Sequence, residues 1–441
     1  NIHFPRELSE STQKFGFVSL IATYNMTLFH MSGFFIQNVA NFSLIYMERH
    51  YVAILLSHNR FDHWRRSVLV QCLALIFGQF MTLTIDQCHF YTIEMESGDS
   101  FVYIPKYDLI LRDTTFEGLN SGTSFFVFQQ IEPSDPTPTY SVIINNISLS
   151  NSDIQNFMDF GGGSMSIRIE ISNSIFQNCK DTDIFWPNRP VFFAMRNCIF
   201  NQVKHPVRYQ APNYVGEELR LYMSNLQVTN TKGISLSGYL YLSMKLVDSK
   251  FEENHPALHL VRTNLESRNN IFERNAPAML LAHMSARIFN STFHGNSNDK
   301  GGAISMSGGA IEVWNSTFRE NWAQEGGAYF FKELVAHSEF SNCIFANNSA
   351  LGGIDSQQRN TPAHGGAISG FLSTLRIFNS LFIDNTCASS THSPSRGGAI
   401  FAEDCSLVTA NSVYQRNFAD GGGAMFIFDS YVIEYEDKLT I

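Results

Sequence analysis

Apolar and polar residues alternate in short runs along most of this chain, and each run ends in the same polar phrase. A clear copy has Leu375 and Ile377 at alternate positions, followed by Asn379, Ser380 and Phe382. Alternation with a period of two is the signature of a β-strand that buries one face. We therefore predict one strand before each phrase and a second strand through its Phe.

The phrase recurs at intervals of 21 to 38 residues, which is the spacing of a solenoid repeat. Its polar position is filled by Asp248 and by ten asparagines, Asn151, Asn173, Asn197, Asn225, Asn269, Asn290, Asn315, Asn342, Asn379 and Asn411. Upstream it persists in degenerate form as Asp113/Phe116, Gln87/Phe90, His58/Phe61 and Ser32/Phe35. Asparagine tolerates the left-handed conformation of a tight corner, and amides stacked in register can bond to one another. We predict that these asparagines form an inward-facing ladder.

Short strands at this spacing, with no helical pattern between them, predict an all-β fold. The specific prediction is a single-stranded right-handed parallel β-helix, a solenoid of about sixteen coils with loop insertions. We expect one continuous β-helix over residues 1–441, with degenerate coils in 1–112, intermediate coils in 113–268 and regular coils in 269–441. The sequence starts and stops within the pattern, without a starting Met or signal peptide, so we expect it to be part of a longer protein.

The later repeats add a Gly-Gly-Ala run followed by an apolar residue, as at residues 301–304, 326–329, 365–368, 397–400 and 422–425. We predict a third strand after these glycines, so that each turn carries about three short strands. Their Phe-x-x-Asn phrases are Phe293/Asn296, Phe318/Asn321, Phe345/Asn348 and Phe382/Asn385. This combination resembles the repeat of the chlamydial polymorphic outer-membrane proteins, which is also found in large surface proteins of protists and algae. The resemblance is strongest over residues 269–425. It implies a surface-exposed β-helical passenger or ectodomain used for adhesion or structure, not an enzyme.

Composition narrows the choice of partner and compartment. Hydrophobic residues are 44% of the chain, charged residues 16%, and the net charge is −10, which argues against a nucleic-acid or anionic-membrane partner. The most apolar stretch, residues 67–85, contains Gln71, Gly78 and Gln79 and continues the repeat register. We therefore predict two buried strands there and no membrane span.

Seven cysteines leave at least one outside any disulfide within the chain. Two pairs are disulfide candidates: Cys179 with Cys198 on adjacent coils, and Cys387 with Cys405 beside one loop. The sequence has no Cys-x-x-Cys motif and no paired histidines of metal-site spacing, so we predict neither a metal nor a cofactor.

Six Asn-x-Ser/Thr sequons occur. Asn290 and Asn315 occupy the predicted ladder, where a glycan would cost an inward bond, so they are the weaker acceptors. Asn146 and Asn347 are expected to point outward and are the better candidates. Asn25 and Asn41 are also candidates, in coils whose register is poorly defined.

The competing hypothesis is a polysaccharide-active enzyme, either a lyase or a glycoside hydrolase, because right-handed β-helices often house such activities. Those sites need carboxylates a few ångströms apart, usually with a Lys or Arg. The candidates are Asp181 and Asp183 with Lys180, and Glu252 with Glu253. Neither set repeats on a neighbouring coil, so we interpret them as solvated loop charges and predict no catalytic residues.

Other polar features have simple structural interpretations. His58 and His364 are expected to replace asparagine at corners, and the basic segment Arg60 to Arg66 is expected to be a solvated loop. Insertions carry binding specificity in regular scaffolds. The Pro-rich segment 131–139 and residues 356–363 are therefore the predicted contact loops.

These observations favour a non-enzymatic, secreted protein that works outside the cell or at its surface. It would act as a structural rod, a filament subunit or an adhesin. We expect partners to be further copies, other surface or filament proteins, or glycans, engaged through insertion loops and uncapped coil ends. Open coil ends present strand edges that another strand can cover.

Overall fold

The computed structural model of the protein describes residues 15–20, 28–40, 42–47, 53–65, 68–72, 82–95, 101–104, 108–128, 139–160, 166–187, 190–210, 219–333, 337–352, 362–389 and 394–440. All regular elements within these ranges are β-strands. The chain divides into two compact units. The first comprises Asn1–Arg168 with Asp181–Arg189, and the second comprises Ile169–Lys180 with Pro190–Ile441.

The first unit is a stack of parallel coils. Its central strands illustrate the stacking, because Leu83 pairs with Ile54 of the preceding coil and with Leu109 of the following one. The predicted strands in the apolar stretch are present as Val68–Cys72 and Thr82–Asp86. The strands that lie wholly in this unit are Phe15–Leu20, Leu28–Ser32, Phe35–Ala40, Phe42–Met47, Ala53–Ser57, Arg60–Arg65, Val68–Cys72, Thr82–Asp86, His89–Met95, Val102–Ile104, Asp108–Arg112, Thr115–Glu117, Asn120–Phe128, Thr139–Asn145, Ser148–Ser150 and Asp153–Phe160.

The second unit repeats the same parallel pairing with greater regularity. In its later coils a fourth, very short strand, such as Ser349–Leu351, joins the three that the sequence predicts. The strands Ser166–Ser172 and Ile175–Pro187 have residues in both units. Those wholly in the second are Pro190–Arg196, Ile199–Gln210, Leu219–Ser224, Gln227–Thr229, Ile234–Val247, Lys250–Glu252, Leu258–Arg268, Ile271–Glu273, Met279–Phe289, Thr292–His294, Ile304–Trp314, Thr317–Arg319, Trp322–Ala323, Tyr329–Lys332, His337–Ser341, Ile344–Ala346, Ser349–Leu351, Ile368–Phe371, Thr374–Phe378, Leu381–Ile383, Thr386–Ala388, Ile400–Glu403, Ser406–Ala410, Val413–Gln415, Met425–Phe428, Tyr431–Tyr435 and Lys438–Thr440.

This architecture confirms the predicted right-handed parallel β-helix. Each coil bonds to the coils before and after it, so the backbone groups of one short strand are satisfied by its neighbours along the stack. No helix within the described residues is long and apolar enough to cross a membrane. The boundaries predicted at residues 112 and 268 stay a prediction.

The residue at the first corner, which joins the strand before the polar phrase to the Phe strand, has a left-handed backbone. Its φ lies between 47° and 55° in fifteen described coils. These residues are His58, Gln87, Asp113, Asn146, Asn173, Asn197, Asn225, Asp248, Asn269, Asn290, Asn315, Asn342, Asn379, Asn411 and Glu436. The corner role predicted for the asparagines, and for His58, therefore follows from the backbone, because asparagine and aspartate tolerate this region better than most residues.

The predicted register is wrong in two coils. Ser32 pairs with Ser57, so the corner beside His58 is Gly33, and the buried residue after it is Ile36 rather than Phe35. Asn151 belongs to a different corner, because Ser150 pairs with Glu117 and Asn151 therefore follows the Phe strand. Asn146 occupies the first corner of that coil. Two corners of one coil can each hold a left-handed asparagine, so the residue type alone does not identify the corner.

The predicted inward direction of the first-corner asparagines is also wrong. All ten asparagines of the predicted ladder are exposed. The next residue points inward instead: Ser291, for example, is 1% exposed and donates its hydroxyl to the Phe289 carbonyl. A left-handed residue interrupts the strand alternation, and this reverses the facing of the residues around it.

The inward asparagine ladder lies at the second corner, after the Phe strand. Asn296 is fully buried, and both its backbone N–H and its Nδ2 donate to Asn321 Oδ1, at 3.0 and 2.9 Å. The second Nδ2 proton goes to the Phe272 carbonyl at 3.0 Å. The same pattern links Asn254, Asn275, Asn296, Asn321, Asn348, Asn385 and Asn417. Each interior amide thus uses both donors and both acceptor lone pairs.

The Phe residues form a continuous aromatic stack inside the second unit. Phe293, Phe318 and Phe345 stack nearly parallel, with successive ring centroids 4.7 Å apart. The stack consists of Phe251, Phe272, Phe293, Phe318, Phe345, Phe382 and Tyr414. In-register stacking explains why the chain holds 39 Phe residues, because each coil contributes a ring to the same column.

Candidate functional site

The carboxylates around residue 181 do not form a solvated loop pair. Asp181 and Asp183 both lie in the strand Ile175–Pro187, where Asp181 is exposed and Asp183 is only 2% exposed. Asp183 pairs in register with Asn156, whose amide donates to Ser124. The expectation of a loop is therefore wrong for this pair, and Asp183 belongs to a buried polar column.

Glu252 and Glu253 lie in a surface ion-pair network. Arg274, one coil later, pairs with both, and its Nε lies 3.3 Å from Glu253. Lys250 Nζ lies 2.6 Å from Glu252 and 3.2 Å from Glu273. The hydrogen bond from Lys250 is the largest cause that holds the pKa of Glu273 below its ordinary value. Cations thus bridge these carboxylates across coils.

The basic segment near residue 60 is a strand and not a loop. Arg60 lies in the strand Arg60–Arg65, and its guanidinium lies over the rings of Phe35 and Tyr91, at 5.3 and 5.0 Å. Trp64 is fully buried and donates to the Ile36 carbonyl. Arg66 lies outside the described residues. The described part of the segment therefore belongs to the wall of the helix.

His364 does not supply the left-handed corner predicted for it, since that conformation belongs to Gly365, with φ +63°. The imidazole instead stacks on Phe401, with ring centroids 4.1 Å apart, and both its nitrogens are buried without a hydrogen-bond partner among the described residues. Burial, followed by the charges of Arg396 and Lys300, lowers the His364 pKa to about 4.

We expect this imidazole to make the protein sensitive to acid. Below pH 6.5 the unfolded chain takes up a proton that the folded state accepts only near pH 4. The stabilisation by His364 is thus present above pH 6.5 and lost as the pH falls towards 4. Between pH 7 and pH 4.5 the free energy of unfolding should fall by about 2 kcal/mol less in His364→Phe than in wild type. Urea unfolding at the two pH values would measure both falls. Identical pH dependence in variant and wild type would contradict this prediction.

The disulfide candidates are wrong. Cys179, Cys198, Cys387 and Cys405 are buried thiols in the structure. Cys179 follows a second-corner residue, whereas Cys198 follows a first-corner residue, Asn197. Cys387 lies in the strand Thr386–Ala388, and Cys405 follows the corner at Asp404. The members of each pair are close in sequence, which suggested that they could meet. In the structure they lie at different positions around the coil.

Four sequons lie in described residues, and all four asparagines are exposed. Asn146 Nδ2 donates to Asp113 Oδ1 at 2.6 Å, and Asn290 Nδ2 donates to Asn269 Oδ1 at 3.3 Å. Because Asn290 and Asn315 face outward, the reason for ranking them below Asn146 and Asn347 is removed. Glycosylation at these sites stays a prediction, and Asn25 and Asn41 lie outside the described residues.

The predicted contact loops lie largely outside the described residues. In the first loop only Thr139 is described, and it begins a strand. In the second, Ala363 is fully buried against Ala350 and Cys387.

A groove that the sequence did not predict runs along the first corner of the second unit. Its volume is about 600 Å³, and it spans four coils between Asn197 and Ile271. Exposed first-corner residues form one side. The other side is a row of Ile199, Gln227, Lys250 and Ile271, so its middle is polar and its two ends are aliphatic. The sequence did contain a signal for this groove. The residue two positions after each first corner, such as Ile199 after Asn197, faces solvent because burial alternates along the strand. In the described residues no cluster of three or more His, Cys, Asp or Glu side chains could hold a metal ion.

A family model agrees with the fold. Residues 160–323 match the model of a family described as right handed beta helix region, which supports a relation to the parallel β-helix family. A search of the curated proteins found no match. One similar solved structure is described as a new PL6 alginate lyase complex with trisaccharide, at 10% sequence identity, covering 93% of this chain and 81% of that one. Its TM-score is 0.21, so this likeness carries no argument about fold or function.

Proposed function

We propose that this protein is a non-enzymatic structural or adhesive β-helix that works outside the cell or at its surface, as an adhesin or a filament subunit. The observation that supports this most is the use of polar side chains to join coils. The second-corner amides bond from coil to coil in the interior, and Arg274 links Glu252 and Glu273 on the surface. Such side chains make a stiff scaffold whose outer columns can bind partners.

The four exposed sequon asparagines fit an extracellular location, because an oligosaccharide there would project into solvent. Contacts with further copies or other surface proteins are part of the proposal.

Electron microscopy of the native material, together with a turnover assay on polyuronides, tests this function. We expect labelled protein at the cell surface or in fibres, and no cleavage of the polymer. The enzyme hypothesis would gain if cleavage appeared and was lost in Asp181→Asn or Asp183→Asn. Glu320→Gln, at an exposed corner of another coil, is the matched control, because it removes one exposed carboxylate without touching that pair.

A further inference from the structure

The first-corner groove contains a break in its outer row of amides. In the coils of the groove, exposed corner asparagines donate back to the previous coil: Asn225 Nδ2 donates to Asn197 Oδ1 at 3.1 Å. Asn269 Nδ2 likewise donates to Asp248 Oδ1 at 3.0 Å. Asp248 stands between these two bonds, and a carboxylate has no proton to donate onward. The row of coil-to-coil bonds is therefore interrupted between Asn225 and Asp248.

Two acceptor groups consequently face each other inside the groove. Ser224 pairs with Val247, so the next residues, Asn225 and Asp248, are direct neighbours across one coil spacing of about 4.8 Å. Within the described residues, no side chain donates to Asn225 Oδ1. A ligand that places hydroxyl or amine protons between these oxygens would complete the row.

The charge of the groove restricts which ligand can do so. Lys250 lines the groove, but its ammonium group is held by Glu252 and Glu273. The Asp248 carboxylate is thus the local charge nearest the break, and it disfavours a polyanionic chain such as a polyuronide. Groups that donate protons and carry no negative charge are favoured.

The apolar ends of the groove favour sugar rings. Gln227 and Lys250 lie beside the break itself. Ile199 and Ile271, 36% and 44% exposed, lie one coil beyond it on either side. A pyranose offers C–H surface to such side chains and hydroxyls that donate and accept. In an extended peptide, the N–H groups that point to the same side are two residues apart, or roughly 6.7 Å. This distance matches the coil spacing of about 4.8 Å poorly. We propose that this groove binds a neutral, hydroxyl-rich linear glycan, with Asn225 and Asp248 receiving its hydroxyl protons.

This inference rests on the proposed adhesive function and names its ligand class. The decisive variant is Asp248→Asn, which would donate to Asn225 Oδ1 and close the row as at neighbouring coils. Asp113→Asn is the matched control: Asn146 donates to Asp113 just as Asn269 donates to Asp248, but Asp113 lies outside the groove. Proteins made in a host without N-glycosylation would be titrated with cellohexaose, mannohexaose, xylohexaose, hexagalacturonate and an extended heptapeptide.

We expect wild type and Asp113→Asn to bind at least one neutral hexasaccharide, and Asp248→Asn to bind it at least tenfold more weakly. Thermal unfolding should show Asp248→Asn to be as stable as wild type, which separates lost binding from lost folding. Binding of none of the neutral sugars, equal binding by Asp248→Asn, or preference for the peptide or hexagalacturonate would overturn the inference. Cleavage of a bound sugar would instead overturn the proposed non-enzymatic function and leave the groove assignment standing.

Discussion

Replacing Asn321 with alanine is expected to lower the free energy of unfolding by about 3–5 kcal/mol. Its Oδ1 accepts from the backbone and side chain of Asn296, and its Nδ2 donates to the Phe293 carbonyl and to Asn348. All of these groups are buried, so the substitution leaves donors and acceptors without partners where water cannot replace them. Equilibrium urea unfolding of the purified chain would measure the loss.

Asn315→Gly is the matched control on the neighbouring corner. Asn315 is exposed and has φ 50°, a conformation that glycine adopts freely. We expect a change below about 1 kcal/mol, although the first-corner asparagine is the more conspicuous residue of the repeat. Equal losses in the two variants would show that the inner and outer asparagines share the stacking role, contrary to the assignment of the inward ladder to the second corner.

The fold was predictable because its main signal is local. Period-two alternation before each corner, as at Leu375 and Ile377, is imposed by a strand that buries one face, and those residues are fully buried. The left-handed corners were predictable for the same reason, since few residue types tolerate them. Neither inference requires knowledge of distant contacts.

The facing of polar residues was less predictable, because it depends on counting through a left-handed residue. Two asparagines flank each Phe strand, and only the backbone at each corner decides which one turns inward. Ser380, which directly follows Asn379, held the missing signal: it is 2% exposed and bonds to Phe378. A small hydroxyl residue after each asparagine is expected for an inward, self-bonded position.

The groove and the cysteine positions depend on packing between coils that are distant in sequence. Cys179 and Cys198 are close in sequence, but their separation on the coil depends on strand lengths that the sequence pattern does not set. The break at Asp248 is visible in the sequence as one Asp among asparagines. That this Asp interrupts the row of coil-to-coil bonds follows only from the direction of the side-chain hydrogen bonds, which the structure supplies.

Replacing Phe318 with alanine is expected to cost about 3–5 kcal/mol of unfolding free energy. The ring is fully buried between Phe293 and Phe345, with centroids 4.7 Å from each, and Phe340 packs edge-on at 6.1 Å. Alanine would leave a ring-sized cavity in a column that neighbouring coils cannot close, because their spacing is fixed by backbone hydrogen bonds. Phe318→Leu keeps most of the volume and should cost about 1–2 kcal/mol.

Phe418→Ala is the control for the aromatic stack. Phe418 is 60% exposed, and its recorded bonds to Asn385 and Cys387 use the backbone, which alanine retains. Its loss should therefore stay below about 1 kcal/mol. Urea unfolding of the three variants, with hydrogen exchange to locate the affected coils, should place the Phe318 effect in the coils on either side. A small loss for Phe318→Ala, or one as large for Phe418→Ala, would mean that backbone ladders alone hold the coils together and that the aromatic column is dispensable.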